Sequence, residues 1–296
     1  MIKAAIEMLL TFTFQSAKRF VKNEGDFCKR IKKRHKIFWK PANAEIVRNT
    51  IMDASDTIEE WKDVKNWQRK LSNKYNAREF AKKHFCKVPD LYWKGRDYNN
   101  ISFDDLPENY VIRPTNGHSL HSVFLFNNSV NYMDGKTYLK EDIKDILGKA
   151  LENNASLEFL IEEFIRTEDG KVEIPDDFKF YMFNGKIGCI QVINRLNSSK
   201  GFTSWYDENW NFMANLTVNY PDGKEQPAPQ CLPAMAEAAK RLSKAYKIFC
   251  RIDFYATDKG AVFGEFTPTP GLGIGFTSDG DKLLTECWDK YCKGMI

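Results

Sequence analysis

The sequence predicts a protein that mixes helices and strands in one fold, of the α/β or α+β class. Its 296 residues are enough to bury a full hydrophobic core. Residues 1–100 carry apolar side chains at helical spacing, whereas strand-like and helix-like segments alternate from Leu106-Pro107 onward. Further helices are predicted over 140–153, 234–246 and 281–292. A mostly helical first part therefore precedes a part that combines strands and helices.

The first predicted strands flank a loop of small and polar residues. Segments 110–113 and 123–126 are rich in β-branched and aromatic residues, which favour strands. The loop between them, 114–122, has side chains small enough for backbone N–H groups to approach a phosphate. Because it contains a single glycine, a plain hairpin turn is the alternative.

Two later strand segments carry charged residues. Segment 156–165 is largely apolar and holds Glu162 and Glu163 near its end. Two runs flank Asn184-Gly185, the dipeptide that best fits a two-residue hairpin turn. Lys179 lies in the first of these runs among aromatic and apolar residues. Such a lysine either protects a sheet edge or, if it faces a cleft, suits a phosphate.

The most informative segment is a predicted hairpin at 250–267. Its turn, Asp258-Lys259-Gly260, ends in a glycine that accepts the left-handed backbone angle of a three-residue loop. A loop of this length pairs Thr257 with Ala261. The same register gives two further cross-strand pairs, Asp253 opposite Glu265 and Arg251 opposite Thr267.

Because side chains alternate along a strand, this register divides the hairpin into a polar and an apolar face. The polar face holds Arg251, Asp253, Glu265 and Thr267. The apolar face, which is predicted to pack in the core, holds Ile252, Phe254, Val262 and Phe266. Two opposed carboxylates repel each other unless a cation lies between them, and Mg²⁺ takes oxygen ligands. The alternative is a solvated polar face on an edge hairpin.

Composition and charge limit the classes of function. Hydrophobic residues make up 43% and charged residues 28%, as in ordinary globular proteins, and no apolar run predicts a spanning helix. The seven cysteines form no Cys-x-x-Cys pair, which predicts reduced thiols in the cytoplasm rather than a disulfide framework or a zinc site.

The N-terminal region is basic. Residues 1–40 hold eleven Lys and Arg and three acidic residues, a net charge of +8 in a chain whose total is +4. The cluster from Lys29 to Lys36 suits contact with an acidic polymer or an anionic membrane surface, and a solvated helix face is the alternative. No nucleic acid partner is expected, because no reading motif accompanies the charge. We predict a cytoplasmic protein, with peripheral contact at the inner face of the membrane through residues 18–40.

Taken in order, these segments resemble the ATP-grasp superfamily, and most closely its TupA-like branch, named for teichuronopeptide biosynthesis. The motifs that carry the resemblance are Asn73-Lys74-Tyr75, Val111-Ile112-Arg113-Pro114, Ile161-Glu162-Glu163-Phe164, Asp177-Phe178-Lys179-Phe180, Arg251-Ile252-Asp253-Phe254 and Phe263-Gly264-Glu265-Phe266-Thr267-Pro268. The resemblance implies an α+β fold in which two subdomains clamp ATP. It implies a mostly helical region at 1–105, a small lid subdomain at 106–165 and a subdomain with the metal site at 166–296.

The resemblance also implies which residues hold the nucleotide. Arg113 would meet the α- and β-phosphates, at a position where lysine is usual. A loop at 117–122 would cover them as a lid, with Gly117, Ser119 and Ser122 as its contacts. Adenine and ribose would lie against Glu162, Glu163 and the backbone near Ile165, while Lys179 would reach a phosphate.

The metal and the transferring phosphoryl group are assigned to the hairpin and one further arginine. Mg²⁺ would be bound by Asp253, Glu265 and Thr267, the last at a position where asparagine is usual. The phosphoryl group would be steadied by Arg251 and Arg195.

The activity that the resemblance implies is an ATP-dependent carboxylate–amine ligase that acts through an acyl phosphate. Its implied partners are ATP, a carboxylate-bearing sugar or polysaccharide precursor such as a glycuronic acid, and an amine or amino acid. Two alternatives use the same scaffold: a sugar or glycan kinase, and a binding protein without turnover.

Overall fold

The computed structural model describes residues 24–117, 123–197 and 200–296. These residues form two six-stranded antiparallel sheets with helices packed against them, which confirms the predicted α+β fold. The helices are α1 (Asp26–Trp39), α2 (Ala44–Asn49), α3 (Ile58–Trp61), α4 (Lys74–Lys83), α5 (Lys140–Asn153), α6 (Leu232–Tyr246) and α7 (Ser278–Tyr291). The three helices predicted after residue 106 are therefore confirmed, two of them with shifted ends.

The smaller sheet lies in the first half of the chain. Its strands, in spatial order, are β1 (Leu91–Gly95), β6 (Phe159–Glu163), β2 (Asn109–Pro114), β3 (Phe124–Asn127), β4 (Val130–Asn131) and β5 (Lys136–Thr137). Helix α5 packs Ile143 and Leu147 against Ile112 and Phe126 of this sheet. Strand β1 falls within the range predicted as mostly helical. Its aliphatic and aromatic residues, Leu91-Tyr92-Trp93, favour a strand. This strand pairs with β6.

The larger sheet carries the polar face of the hairpin. Its strands, in spatial order, are β10 (Phe212–Met213), β9 (Gly201–Tyr206), β8 (Lys186–Arg195), β7 (Asp177–Phe183), β11 (Cys250–Thr257) and β12 (Gly260–Thr267). One face packs against α4 and α6 through residues such as Phe80 and Leu242. The other face packs against α1 and α7 through Phe27 and Trp288, but only over part of its area. The uncovered part of that face is available to form a site.

The turn between β7 and β8 is the one that the sequence predicts. Asn184 and Gly185 connect the two strands with backbone φ angles of 48° and 88°. Two successive residues with positive φ are what a type I′ turn requires, and Asn-Gly tolerates them best. This confirms the predicted hairpin.

The β11–β12 hairpin has the predicted polar pairs but not the predicted turn. Asp253 lies opposite Glu265 and Arg251 opposite Thr267, as expected, whereas Thr257 pairs with Gly260 rather than with Ala261. A bulge beside Asp253 absorbs the one-residue difference and restores the register at the polar end. Phe254 consequently pairs with Phe263, which packs in the core, rather than with Gly264 as the predicted register requires.

Glycine at the bulge is explained by its neighbours. A Cβ atom on Gly264 would lie 2.9 Å from the ring of Tyr255 and 3.1 Å from the carbonyl oxygen of Asp253. Both distances are shorter than ordinary carbon contacts, and one of the atoms belongs to the backbone. The close approach of β11 and β12 at this point therefore requires glycine.

Helix α1 is fixed to the end of the same hairpin. Arg34 is fully buried, and its Nη1 donates to the carbonyl oxygens of Phe249 at 2.6 Å and Pro268 at 3.3 Å. These carbonyls precede β11 and follow β12. The helix also packs on the 3₁₀ segment Pro270–Gly273, where a Cβ on Gly273 would lie 2.7 Å from the Cα of Cys28. The N-terminal helix thus lies directly beside the polar end of the hairpin.

We expect Gly264→Ala to lower the free energy of unfolding by about 1–3 kcal/mol, because β11 and β12 must separate to admit the methyl group. Urea unfolding measures this. Gly148→Ala, within α5, is the matched control: its Cβ would meet only the hydroxyl end of Tyr98, and alanine favours a helix. Equal unfolding free energies for the two variants would contradict the role assigned to Gly264.

Candidate active site

A cleft of about 1190 Å³ opens between the two sheets and the N-terminal helices. Eleven of the thirteen residues that the sequence singles out line it; the other two, Ser119 and Ser122, lie outside the described residues. The roles of the eleven stay predictions, but their assembly from five separate segments of the chain into one cleft is a property of the fold.

Arg251 is at the centre of the polar face of β11 and β12. Its Nε and Nη2 donate to the two carboxylate oxygens of Asp253, at 2.7 Å each. The same Nη2 lies 3.2 Å from Oε1 of Glu265 and 2.9 Å from Oγ1 of Thr267. One guanidinium group therefore joins the three residues that are predicted to bind metal.

Two further cations extend this group across the sheet. Lys179 Nζ on β7 lies 2.7 Å from Asp253 and 3.4 Å from Asp177, and Arg195 Nη2 on β8 lies 2.9 Å from Asp177. Asp177 and Asp253 are only 7% and 2% exposed, so their charges depend on these cations. We call Asp177, Lys179, Arg195, Arg251, Asp253 and Glu265 the charge cluster.

The cluster fixes the ionisation of its carboxylates. Burial opposes ionisation of Asp177, but Lys179 and Arg195 outweigh it and lower the pKa of this carboxyl below its usual value. Burial likewise opposes ionisation of Glu265, and its cationic neighbours, Lys74 first, lower its pKa. Both side chains are therefore anionic at neutral pH.

The hairpin oxygens fit a magnesium ion that is shared with a nucleotide. Carboxylate and hydroxyl oxygens are the ligand type that Mg²⁺ takes, and one or two carboxylates suffice when substrate phosphates complete the coordination. In the part of the chain that the structure describes, no group of three or more His, Cys, Asp or Glu side chains is arranged as a metal site. The donor set thus suits a metal bound together with phosphates, provided that Arg251 turns from these oxygens toward the substrate.

Glu162 lies in a buried triad with two arginines. Arg78 from α4 and Arg113 from β2 each contact one of its carboxylate oxygens, and its side chain is 2% exposed. Glu163 pairs instead with Lys259, whose side chain is about half exposed. Ile165, just beyond β6, lines the cleft. That these residues contact adenine and ribose remains a prediction.

Gly117 begins the loop that is predicted to cover the phosphates. Its carbonyl oxygen accepts a hydrogen bond of 3.2 Å from Lys74 Nζ at the start of α4. Burial lowers the pKa of Lys74, although Glu265 lies near enough to oppose this effect. Residues 118–122 lie outside the described residues. Lys74 therefore stands between the start of this loop and the charge cluster.

Four charged residues at or beside the cleft have no role in the prediction from sequence. Lys74 and Arg78 are four residues apart on α4, a spacing that puts them on one helix face and could have indicated them. Asp177 stands two residues from Lys179 on β7, and so shares its face. Arg48 of α2 lines the cleft without any local signal in the sequence.

The family follows from comparison with known proteins. The sequence matches the TupA-like ATP-grasp family over residues 55–288, which is well over half of the chain. The chain belongs to the TupA-like ATP-grasp family. No curated protein matches its sequence.

Two solved structures are similar to this chain. D-alanine–D-alanine ligase from Bacillus anthracis superposes with a TM-score of 0.50 at 18% identity, over 75% of this chain and 68% of that chain. D-cycloserine synthetase gives a TM-score of 0.45 at 15% identity, over 74% of this chain and 69% of that chain. At these identities the similarity concerns the fold. The family match and the superposition on the D-alanine–D-alanine ligase show the ATP-grasp fold.

The basic N-terminal region is partly neutralised where the structure describes it. Lys29 pairs with Asp26, Arg30 with Asp289 and Lys32 with Glu24, and Arg34 is buried. No helix within 24–117, 123–197 and 200–296 combines the length and hydropathy that crossing a bilayer requires. Membrane contact through residues 18–40 stays a prediction, and Lys18, Arg19 and Lys22 lie outside the described residues.

We expect Glu162→Gln to destabilise this ATP-grasp protein by about 3–5 kcal/mol even without nucleotide, because Arg78 and Arg113 would keep buried charges without a full counter-ion. Glu163→Gln, whose partner Lys259 is half exposed, should cost no more than about 1 kcal/mol. Urea unfolding of the free protein measures both. If Glu162→Gln leaves stability unchanged but abolishes ATP binding, the role of Glu162 is to bind the nucleotide rather than to stabilise the fold.

Asp176, beside the charge cluster, makes the stability of the folded protein depend on pH. Burial raises the pKa of its carboxyl from 3.8 to about 6, although Asn194 donates a hydrogen bond to it at 2.8 Å. At Asp176 the folded state therefore binds a proton more tightly than the unfolded state, and the contribution of this carboxyl to stability falls as pH rises from about 4 to about 6.

Asp176→Asn removes this ionisation and should raise the free energy of unfolding by about 1–3 kcal/mol at pH 7.5, with a smaller gain at pH 4.5. Urea unfolding at the two pH values checks it. Asp104→Asn changes a carboxylate whose side chain is 88% exposed and should show neither effect. A gain for Asp176→Asn that is equal at both pH values would contradict the raised pKa.

Proposed function

We propose that the protein is an ATP-dependent carboxylate–amine ligase that activates a carboxylate as an acyl phosphate. Membership of the TupA-like ATP-grasp family supports ATP as a substrate. The observation that carries the proposal is the charge cluster, in which three cations and three carboxylates from four neighbouring strands converge on one cleft. Fixed charges of both signs, held by packed strands, suit the transfer of a phosphoryl group.

The first step joins the acceptor carboxylate to the γ-phosphorus of ATP. A carboxylate oxygen attacks phosphorus, the bond to the β–γ bridging oxygen breaks, and ADP leaves with that electron pair. Arg251 and Lys179, which are both held by Asp253 on β11, would stabilise the negative charge on the transferring group. Arg195 is held in the same way by Asp177.

The second step forms the amide. The amine attacks the acyl carbon, inorganic phosphate leaves with the carbon–oxygen electron pair, and the nitrogen loses a proton. Mg²⁺ held by Asp253, Glu265 and Thr267 would supply charge neutralisation for the nucleotide phosphates. Arg113, which pairs with Glu162, would bind the phosphates that are farther from the reacting atom.

The acceptor class follows the TupA-like family rather than any contact in the cleft. We propose a glycuronic acid or a polysaccharide precursor as the carboxylate, and an amino acid or other amine as the nucleophile. The cleft volume of about 1190 Å³ leaves room for a sugar beside a nucleotide.

The test supplies ATP, Mg²⁺ and hydroxylamine with a panel of uronic acids, and measures ADP and hydroxamate. The wild-type protein should form both products in equal amounts. Glu265→Gln should lower the rate about 100- to 1,000-fold, because it removes a charge that organises the cluster. Glu237→Gln is the matched control, since its side chain is 80% exposed on α6, outside the cleft, and its rate should equal that of the wild type.

Each other result points elsewhere. A sugar phosphate without hydroxamate would identify a kinase on the same scaffold. Neither product from any acid, with ATP binding retained, would contradict the ligase and favour a binding protein. Equal rates for Glu265→Gln and Glu237→Gln would show that the charge cluster takes no part in the reaction.

A further inference from the structure

The solvent-facing side of helix α1 carries a row of lysines. The helix buries one face, whose side chains recur every three or four residues: Phe27, Ile31, Arg34 and Phe38. The residues two positions further along are all lysines, and all are exposed: Lys29, Lys33, Lys36 and Lys40. Two positions correspond to about 200° around the helix axis, so these lysines lie opposite the core. We call the four lysines the basic row.

The basic row has little counter-charge within the protein. Its first member, Lys29, pairs with Asp26, which is itself exposed and lies on the same helix. The other acidic side chains that pair with α1 contact Arg30 and Lys32, which are outside the row. The remaining three lysines of the row form no ion pair with any residue that the structure describes. Because lysines three or four residues apart repel each other on a helix, an external anion would relieve this repulsion.

The shape of the row fits a flat surface. From Lys29 to Lys40 it extends about 16 Å along the outside of the helix, at the usual rise per residue. None of the four lysines lines the cleft. The adjacent helix α2, which contacts α1, adds an exposed aliphatic side chain, because Ile46 is 71% exposed. Aliphatic side chains next to lysines are typical of protein surfaces that bind the interface of a bilayer. These features favour a membrane over a soluble polyanion.

The cleft lies along the flank of the same helix. His35 and Trp39 line it, and each directly precedes a lysine of the row. One position corresponds to about 100° around the helix axis, so the cleft and the row are on adjacent sides of α1. Both sides can therefore be occupied at the same time.

We propose that the basic row binds the anionic surface of a membrane and holds the protein there with the cleft beside the lipid headgroups. The sequence predicts membrane contact for residues 18–40 as a whole. The structure narrows this to four side chains, because Arg30, Lys32 and Arg34 have partners within the protein. The proposal goes beyond the proposed function and does not rest on it, since the binding needs neither nucleotide nor acceptor. Because the attraction is between exposed charges, it must weaken with salt.

The experiment measures co-sedimentation of the full chain with lipid vesicles, without ATP. One set of vesicles contains about 30% phosphatidylglycerol in phosphatidylcholine, and the other contains phosphatidylcholine alone. The wild-type protein should bind the anionic vesicles at about 0.1 M NaCl, lose most of this binding at about 0.5 M, and ignore the neutral vesicles.

The decisive variant replaces three lysines of the row together, Lys33→Gln, Lys36→Gln and Lys40→Gln. Its affinity for the anionic vesicles should fall about 100-fold, because each lysine near such a surface contributes about fivefold. Glutamine favours a helix about as well as lysine, so α1 should be retained, and circular dichroism checks this. Lys33→Gln alone should lower the affinity about fivefold, which keeps the test decisive if the triple variant fails to fold.

The matched control removes the same charge elsewhere, through Lys136→Gln, Lys149→Gln and Lys224→Gln. These lysines are exposed on β5, on α5 and in a loop, and none forms an ion pair with a described residue. Charges farther from the vesicle than the screening length contribute little, so the affinity should stay within about twofold of the wild type.

The outcomes separate this proposal from the ligase. Equal binding by the wild type and the triple variant overturns the membrane site, even if both bind, because other basic residues would then be responsible. An equal loss in the control variant overturns it too, since net charge would be the cause. Binding to polygalacturonate that depends on the row, without vesicle binding, assigns the row to an acidic polymer instead. Vesicle binding that depends on the row, without product from any acid, supports the membrane site and contradicts the ligase alone.

Discussion

The buried carboxylate of Asp253 is the constraint on which the rest of the cleft depends. A buried charge is stable only when it is paired, and Arg251 and Lys179 together satisfy both oxygens of this carboxylate. Each of these cations then reaches a second carboxylate, so one buried charge determines where the whole charge cluster stands. Aromatic packing on both faces holds the strands, and the charges are consequently in place before any substrate arrives.

Features that depend on local pattern could be predicted from the sequence. The Asn184-Gly185 turn and the pair of Asp253 with Glu265 follow from turn chemistry and from alternation along strands. The turn between β11 and β12 could not be predicted in the same way. Because Val262 and Phe263 are both apolar, the alternation of side chains does not show which of them faces the core. The only residue that indicates the bulge in the sequence is Gly264.

Contacts between distant segments could not be predicted. The pairing of Arg78 with Glu162 depends on how α4 docks beside β6, and nothing near either residue encodes that distance. Arg48 is a second case, because nothing near it in the sequence indicates that it lines the cleft.

Helix α1 is part of the hydrophobic core on one face of the larger sheet. Phe27 and Ile31 are fully buried against the larger sheet, and Asp281 of α7 accepts backbone N–H groups from Phe27 and Cys28 at the start of the helix. The family match begins at residue 55, so the core of the larger sheet includes side chains that lie before the matched residues. A chain that began at residue 55 would lack Arg34, the donor that binds the carbonyl groups at both ends of the β11–β12 hairpin.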